Sequence, residues 1–291
     1  MRVLVTGGTG FIGRALVAAL QSRGDETVVL SRRDGPGRVP WDALEHEVAR
    51  ADAVVHLAGE PIAEARWTPE RIARIRESRV GLTAAIARTI AGASHKPRVL
   101  ISGSAVGFYG TRKDDRILDE ASPAGADLLA EIVVAWEAAA NPAREAGVRI
   151  VHPRTGVVLG RDGGALPRMT VPFRFFMGGP IGDGRQWVSW IHLRDMVQAL
   201  VFAIDTDGLA GAVNLTAPEP VTMRELAHAI GHAMHRPALV PVPGLALRAA
   251  LGDGLAQMIL TGQRAIPTKL LQMGFSFEFT AVARACADLL G

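Results

Sequence analysis

The stretch Arg2-Val3-Leu4-Val5-Thr6-Gly7-Gly8-Thr9-Gly10-Phe11-Ile12-Gly13 decides how this 291-residue chain folds. Its first five residues are a largely apolar, β-branched run, the next seven form a glycine-rich turn, and a helical pattern follows. Strand, glycine turn and helix start, in that order, present backbone N–H groups to a dinucleotide pyrophosphate at the positive end of a helix. Gly8 is expected to permit the tight turn, Gly10 to let the backbone approach the phosphates, and Gly13 to let the helix pack on the strand. A glycine pattern alone also fits an ordinary strand-to-helix turn; the flanking strand and helix favour the binding reading. Thr6, Gly7, Gly8, Gly10, Phe11, Ile12 and Gly13 therefore form the first set of expected cofactor contacts.

The next strand, residues 27–30, ends about twenty residues past the glycines, where an NAD-binding chain places an acidic residue on the adenosine ribose. Ser31-Arg32-Arg33 stands there instead. A carboxylate would repel a 2′-phosphate, whereas guanidinium groups pair with it through charge-assisted hydrogen bonds. The expected cofactor is NADP(H), held by Ser31, Arg32 and Arg33 with Arg14 assisting; the bland alternative is a solvated arginine turn.

Outward from this start, apolar strand-like runs at 53–57, 98–102, 149–154 and 212–215 alternate with helical patterns at 11–22, 43–51, 69–91 and 128–145. Continuously apolar strands separated by helices indicate a parallel sheet covered on both faces. The fold class is α/β, a doubly wound parallel Rossmann sheet over residues 1–155 with later segments returning to it. Residues 156–291 are expected to form mainly a smaller C-terminal substrate lobe. Thr68 and Pro69 start the long helix as N-cap and first residue, and Thr222 with Glu225 makes a capping box. Glycine and proline accumulate after residue 156, and Asp183-Gly184 between Ile181 and Trp187 predicts a hairpin.

Composition narrows the partners to a small-molecule substrate. No run approaches the roughly 20 apolar residues that cross a membrane, and the chain opens directly on a core strand, so a cytoplasmic location is expected. Net charge is +3, and all basic residues but Lys96, Lys113 and Lys269 are arginines. They are interspersed with acids, which leaves nucleic acid no basic face to bind. Cys286 is alone, which excludes an internal disulfide and a thiolate metal cluster, and it reads as a buried small hydrophobe. His228 and His232 lie four apart on a helix, but no third ligand completes a shell, so no metal is expected.

Five segments together resemble the extended short-chain dehydrogenase/reductase superfamily, in its NAD(P)-dependent epimerase/dehydratase group. They are the opening turn, Val54-Val55-His56-Leu57-Ala58-Gly59, Ile101-Ser102-Gly103-Ser104-Ala105 with Tyr109-Gly110, residues 154–160, and Trp190-Ile191-His192-Leu193-Arg194-Asp195. Trp136-Glu137, residues 178–182, residues 214–218 and the tail at 262–275 are similar to an atypical branch, the epimerase-family proteins with a C-terminal extension. The resemblance implies that Leu57, Ala58 and Gly59 run beside the adenine ribose and that Ser104 serves a substrate oxygen near the nicotinamide. It also implies a Tyr-x-x-x-Lys pair on the helix after the serine strand. In that pair the lysine lowers the tyrosine pKa from about 10 and holds the nicotinamide ribose. This chain departs there. Anchoring on Glu137 puts Leu129 and Val133 in the two places, and the only tyrosine is Tyr109.

Tyr109 and Lys113 match the pair as a string, but glycine follows the tyrosine in a loop, so no shared helical face is expected. Ser104 and Tyr109 are the catalytic candidates, with local backbone capping as the alternative for Ser104. Arg154, Gln186 and Trp187 are candidates for substrate contact, with an ion pair and core packing as their alternatives. His192 is expected to cap the helix it precedes. An alanine-rich face within residues 128–140 suits a homodimer or packing on the chain's own sheet. Two functions stay open. One is an NADP(H)-dependent oxidoreductase or epimerase acting on a small polar carbonyl or hydroxyl compound; the other is a non-catalytic NADP(H)-binding sensor.

Overall fold

The computed structural model describes all 291 residues. Along β1 (Arg2–Thr6), Val3 and Val5 enter one core and Leu4 another, as a strand covered on both faces requires. There follow α1 (Phe11–Ser22), β2 (Glu26–Leu30), β3 (Arg38–Val39), α2 (Leu44–Val48) and β4 (Ala53–His56). α3 (Pro69–Arg76), a π-helical turn (Glu77–Gly81) and α4 (Leu82–Gly92) lead to β5 (Val99–Ser102) and β6 (Ser104–Ala105). A 3-10 turn (Val106–Tyr109), β7 (Ile117–Leu118), α5 (Leu128–Ala138), α6 (Asn141–Glu145) and β8 (Arg149–Thr155) complete the first half. The remainder begins with β9 (Val157–Gly160), β10 (Gly163–Gly164), α7 (Leu166–Arg174), β11 (Trp187–Val188), β12 (Trp190–His192), α8 (Leu193–Asp205) and β13 (Gly211–Leu215). It ends with β14 (Val221–Thr222), α9 (Met223–Ala233), α10 (Gly244–Leu251), α11 (Asp253–Leu260), β15 (Arg264–Ala265), α12 (Thr268–Gln272) and α13 (Val282–Leu290).

The main sheet is parallel, in the order β13-β8-β5-β4-β1-β2-β3, with β6 beside β8. β2 and β4 flank β1 on opposite sides, so the order reverses there and opens a crevice above Thr6 and His56. Leu16 and Leu20 of α1 and Met196 and Leu200 of α8 cover one face. Val48, Ile86, Ile90 and Ala143 from α2, α4 and α6 cover the other. A separate core around Trp190, Leu226, Ile230, Phe279 and Cys286 builds the C-terminal lobe. Burial there pushes the Cys286 thiol up to about 12, so it packs as a small hydrophobe. No helix is long and apolar enough to cross a membrane.

Thr68, the Thr222–Glu225 capping box and His192 start their helices as expected. Three expectations change. The long helix from Pro69 is interrupted by the π turn, and the pattern at 128–145 divides into α5 and α6, with Pro142 in the first turn of the second. The predicted hairpin is absent. Gly184 does turn the chain at φ +74, but Ile181 bridges to Val242 while Trp187 and Val188 pair with Thr222 and Val221. A turn residue sets the local bend; the partners of its flanks are chosen by distant strands.

Candidate functional site

The glycine turn is built for close approach, with its tasks distributed differently from expectation. Gly7, at φ +75, carries the turn, and a Cβ there would stand 2.6 Å from the Ala58 nitrogen. Gly8 is small because the Val29 side chain lies 2.8 Å from its would-be Cβ. Gly13 packs α1 on the turn as expected: its Cβ would meet the Gly7 carbonyl at 2.1 Å. Gly10 is the extended N-cap of α1 with no side-chain cap, so the helix start is left to a ligand or solvent. Phe11 turns away from that opening. Its ring lies under the β9–β10 hairpin, where Cβ atoms on Gly160, Gly163 and Gly164 would come within 2.5, 2.4 and 2.9 Å.

The other expected cofactor residues converge on the same edge. Leu57 N–H donates to the Thr6 carbonyl at 3.0 Å and Ala58 N–H to Thr6 Oγ1 at 3.4 Å, which ties residues 57–59 to the end of β1. Arg32 and Arg33 are exposed beyond β2, where Ser31 Oγ accepts the Arg33 N–H at 3.1 Å, and neither guanidinium has a carboxylate partner. Arg14 is likewise exposed on the first turn of α1.

Ser104 and Arg154 meet through Glu137, a residue whose role sequence reasoning missed, and Arg154 brings in Tyr109. Ser104 Oγ donates to Glu137 Oε1 at 2.6 Å, and Arg154 clasps both Glu137 oxygens, Nε at 2.9 Å and Nη2 at 3.0 Å. Burial alone would raise the Glu137 carboxyl; the Arg154 guanidinium and the Ser104 hydroxyl reverse that and hold it below the usual range. Arg154 also donates to Tyr109 Oη at 3.1 Å and lies over the Phe108 ring, 3.3 Å from its centroid. Tyr109 is 1 % exposed. Its hydroxyl lies 2.7 Å from Asn214 Oδ1 and 2.9 Å from the Asp119 carbonyl. Burial raises its pKa. The tyrosine ends a 3-10 turn and Lys113 follows in a loop, so the two share no helical face. Leu129 and Val133 of α5 face Gly107, leaving the expected acid/base position apolar.

Gln186 and Trp187 are not brought to this network. Gln186 donates to the Ile181 and Ile259 carbonyls at 3.0 and 3.2 Å, and Trp187 Nε1 donates to Asp115 at 2.8 Å. Gln186 ties segments of the lobe to one another, and Trp187 ties the lobe to the loop before β7.

A polar row also went unread. Thr6, His56 and Ser102 end β1, β4 and β5, and His152 lies midway along β8, on the face that Leu4, Val54, Leu100 and Ile150 share. His56 Nδ1 lies 2.6 Å from Thr6 Oγ1, while His56 Nε2, Ser102 Oγ and His152 Nδ1 are buried without partners. Burial pushes both histidines down to about 4, so they are neutral near pH 7. Single polar residues at the ends of apolar strands or within one leave no periodic signal; only the register aligns them.

A sequence profile described as the NAD dependent epimerase/dehydratase family matches residues 3–215, and one for a domain of unknown function (DUF1731) matches 242–289. The chain is 41% identical over 305 residues to the chloroplastic epimerase family protein SDR39U1 homolog of Arabidopsis thaliana, covering 100% of this chain and 87% of that one. It is 42% identical to epimerase family protein Mb2239 of Mycobacterium bovis, covering 97% and 95% of the two chains. The crystal structure of human epimerase family protein SDR39U1 (isoform 2) with NADPH superposes with a TM-score of 0.95 at 38% identity, covering 100% and 99%. The chain belongs to the NAD dependent epimerase/dehydratase family.

Proposed function

We propose that this chain binds NADP(H) across the crevice above Thr6 and His56 and acts as an oxidoreductase or epimerase on a small polar hydroxyl or carbonyl compound. The observation that carries the cofactor choice is the pair of unpaired guanidinium groups, Arg32 and Arg33, at the end of β2. The open glycine cradle and the NADPH in the human relative's structure support it. Bound NADP(H) supplies two-electron redox chemistry. The backbone from Gly7 to Gly13 holds its phosphates at the start of α1, residues 57–59 line its path, and Ser31, Arg32 and Arg33 take the 2′-phosphate.

Ser104 gives the reading its substrate chemistry. With its O–H donating to ionised Glu137, its oxygen presents lone pairs, so it accepts a hydrogen bond from a substrate hydroxyl. Arg154 keeps Glu137 charged and the serine rotamer set. Comparing Kd for NADPH and NADH in wild type and Arg32→Ala tests the cofactor half. The wild type prefers NADPH, the variant loses about tenfold for NADPH alone, and equal wild-type affinities would remove the reading.

Three observations favour a second reading, a protein that holds NADP(H) without turnover. The Ser104 hydroxyl is spent on Glu137, Tyr109 is enclosed, and Leu129 and Val133 occupy the acid/base place. Oxidation of bound NADPH by a panel of carbonyl compounds and quinones separates the two.

A further inference from the structure

Seven of the thirteen large apolar side chains that this protein exposes fall in two short segments, 171–177 at the end of α7 and 239–245 running into α10. Apolar residues exposed singly are ordinary, whereas a cluster marks a surface that something covers. Phe175, Met177 and Leu239 stand 70, 60 and 77% exposed, and α10 buries none of its residues. Val240 N–H donates to the Gly178 carbonyl at 3.0 Å and Val242 N–H to the Pro180 carbonyl at 2.9 Å, which holds the two segments side by side. Pro172, Phe175 and Met177 from the first and residues 240–243 from the second line an open apolar groove of about 370 Å³. The backbone is strained at the same place. Phe176 N–H donates to the Phe173 carbonyl and Met177 N–H to the Pro172 carbonyl, both at 3.0 Å, closing α7 in the form that puts its next residue at positive φ. Glycine usually stands there; here Phe176 does, at φ +59 and exposed. Strain of that kind gathers at binding surfaces.

Charge beside the groove selects the occupant. At Pro241 the groove opens into a second depression, of about 580 Å³, lined by Arg185, Arg224 and His228. On the other side Arg236 lies over the Phe176 ring, 4.4 Å from its centroid. None of the three arginines has an ion pair: Arg224 Nη2 donates to the Asp183 carbonyl at 2.9 Å and Arg236 Nη1 to the His235 carbonyl at 3.1 Å. The one carboxylate lining the depression, Asp183, accepts the Arg185 backbone N–H at 3.0 Å. An apolar trough flanked by net positive charge complements a chain segment that carries both large apolar side chains and carboxylates. Its concave form suits inserted side chains rather than a flat lipid surface.

We propose that the C-terminal lobe docks an acidic segment of another protein, its large apolar side chains in the groove and its carboxylates on Arg185, Arg224 and Arg236. The test is selection of displayed random peptides on the full chain, followed by calorimetry of the selected peptide with wild type, Met177→Ser, Leu239→Ser and Arg224→Glu. Selected peptides combine aspartate or glutamate with large apolar residues. Each variant binds them about tenfold more weakly while melting at the wild-type temperature. Selection of no binder, peptides without acidic residues, or binding indifferent to the three variants overturns the proposal. So does a wild-type dimer that Met177→Ser dissociates, which gives the face to a second copy of this chain. Binding to phosphatidylglycerol vesicles that the same variants abolish gives it to a membrane and overturns the proposal equally.

Discussion

Ser104 and Glu137 are joined by a 2.6 Å hydrogen bond from the end of the serine strand to α5, and Glu137 is in turn chelated by Arg154. The carboxylate and guanidinium are both largely buried, at 14% and 5% side-chain exposure. Removing one partner strands the other charge, so Glu137→Leu is expected to cost about 3–5 kcal/mol in urea unfolding. Ser104→Ala removes a hydroxyl whose partner keeps Arg154, and costs about 1 kcal/mol. Comparable losses in the two variants would contradict the stated hierarchy.

Tyr109→Phe leaves Asn214 and Arg154 each short of one hydrogen bond in a closed site. The expected loss is about 1–3 kcal/mol of stability, with NADPH affinity unchanged. A variant as stable as wild type but impaired in turnover would instead put this tyrosine among the groups that touch substrate.

Gly13→Ala drives a methyl group into the Gly7 carbonyl at 2.1 Å. Either α1 or the turn must shift, so stability falls by about 2–3 kcal/mol and NADPH binding is lost. Gly92→Ala, with nothing within 4 Å of the new methyl at the end of α4, is the contrast. It is neutral or stabilising by up to about 1 kcal/mol in the same thermal melt.

Stability is expected to fall on mild acidification. His56 and His152 have folded-state pKa values near 4, below the unfolded value of about 6.5. Above pH 6.5 both states are neutral and the full stability is present. Between 6.5 and 4 the unfolded chain takes up protons that the folded chain refuses, so each unit of pH lost favours unfolding. The limit is on the order of 3 kcal/mol per histidine, and the window from pH 6.5 to 5 precedes most carboxylate protonation. Melting temperatures across that window check it. His152→Asn flattens the slope; a wild-type curve already flat there would refute the burial argument.

Local pattern was enough to read the strand–turn–helix opening, the parallel sheet and the arginine pair past β2, because each depends on residues near in sequence. The apolar strands had to be covered on both faces, and a carboxylate had to be absent where a 2′-phosphate would bind. The missing Tyr-x-x-x-Lys pair was equally visible, since one tyrosine cannot be in two places. The polar groups that do line this end of the sheet were not. Glu137 meets Ser104 and Arg154 only because α5 packs over β6 and β8, and the His56–Ser102–His152 row exists only through parallel register. Tertiary packing decided these because buried polar groups choose partners across space, whereas periodicity records only which side of an element faces the core.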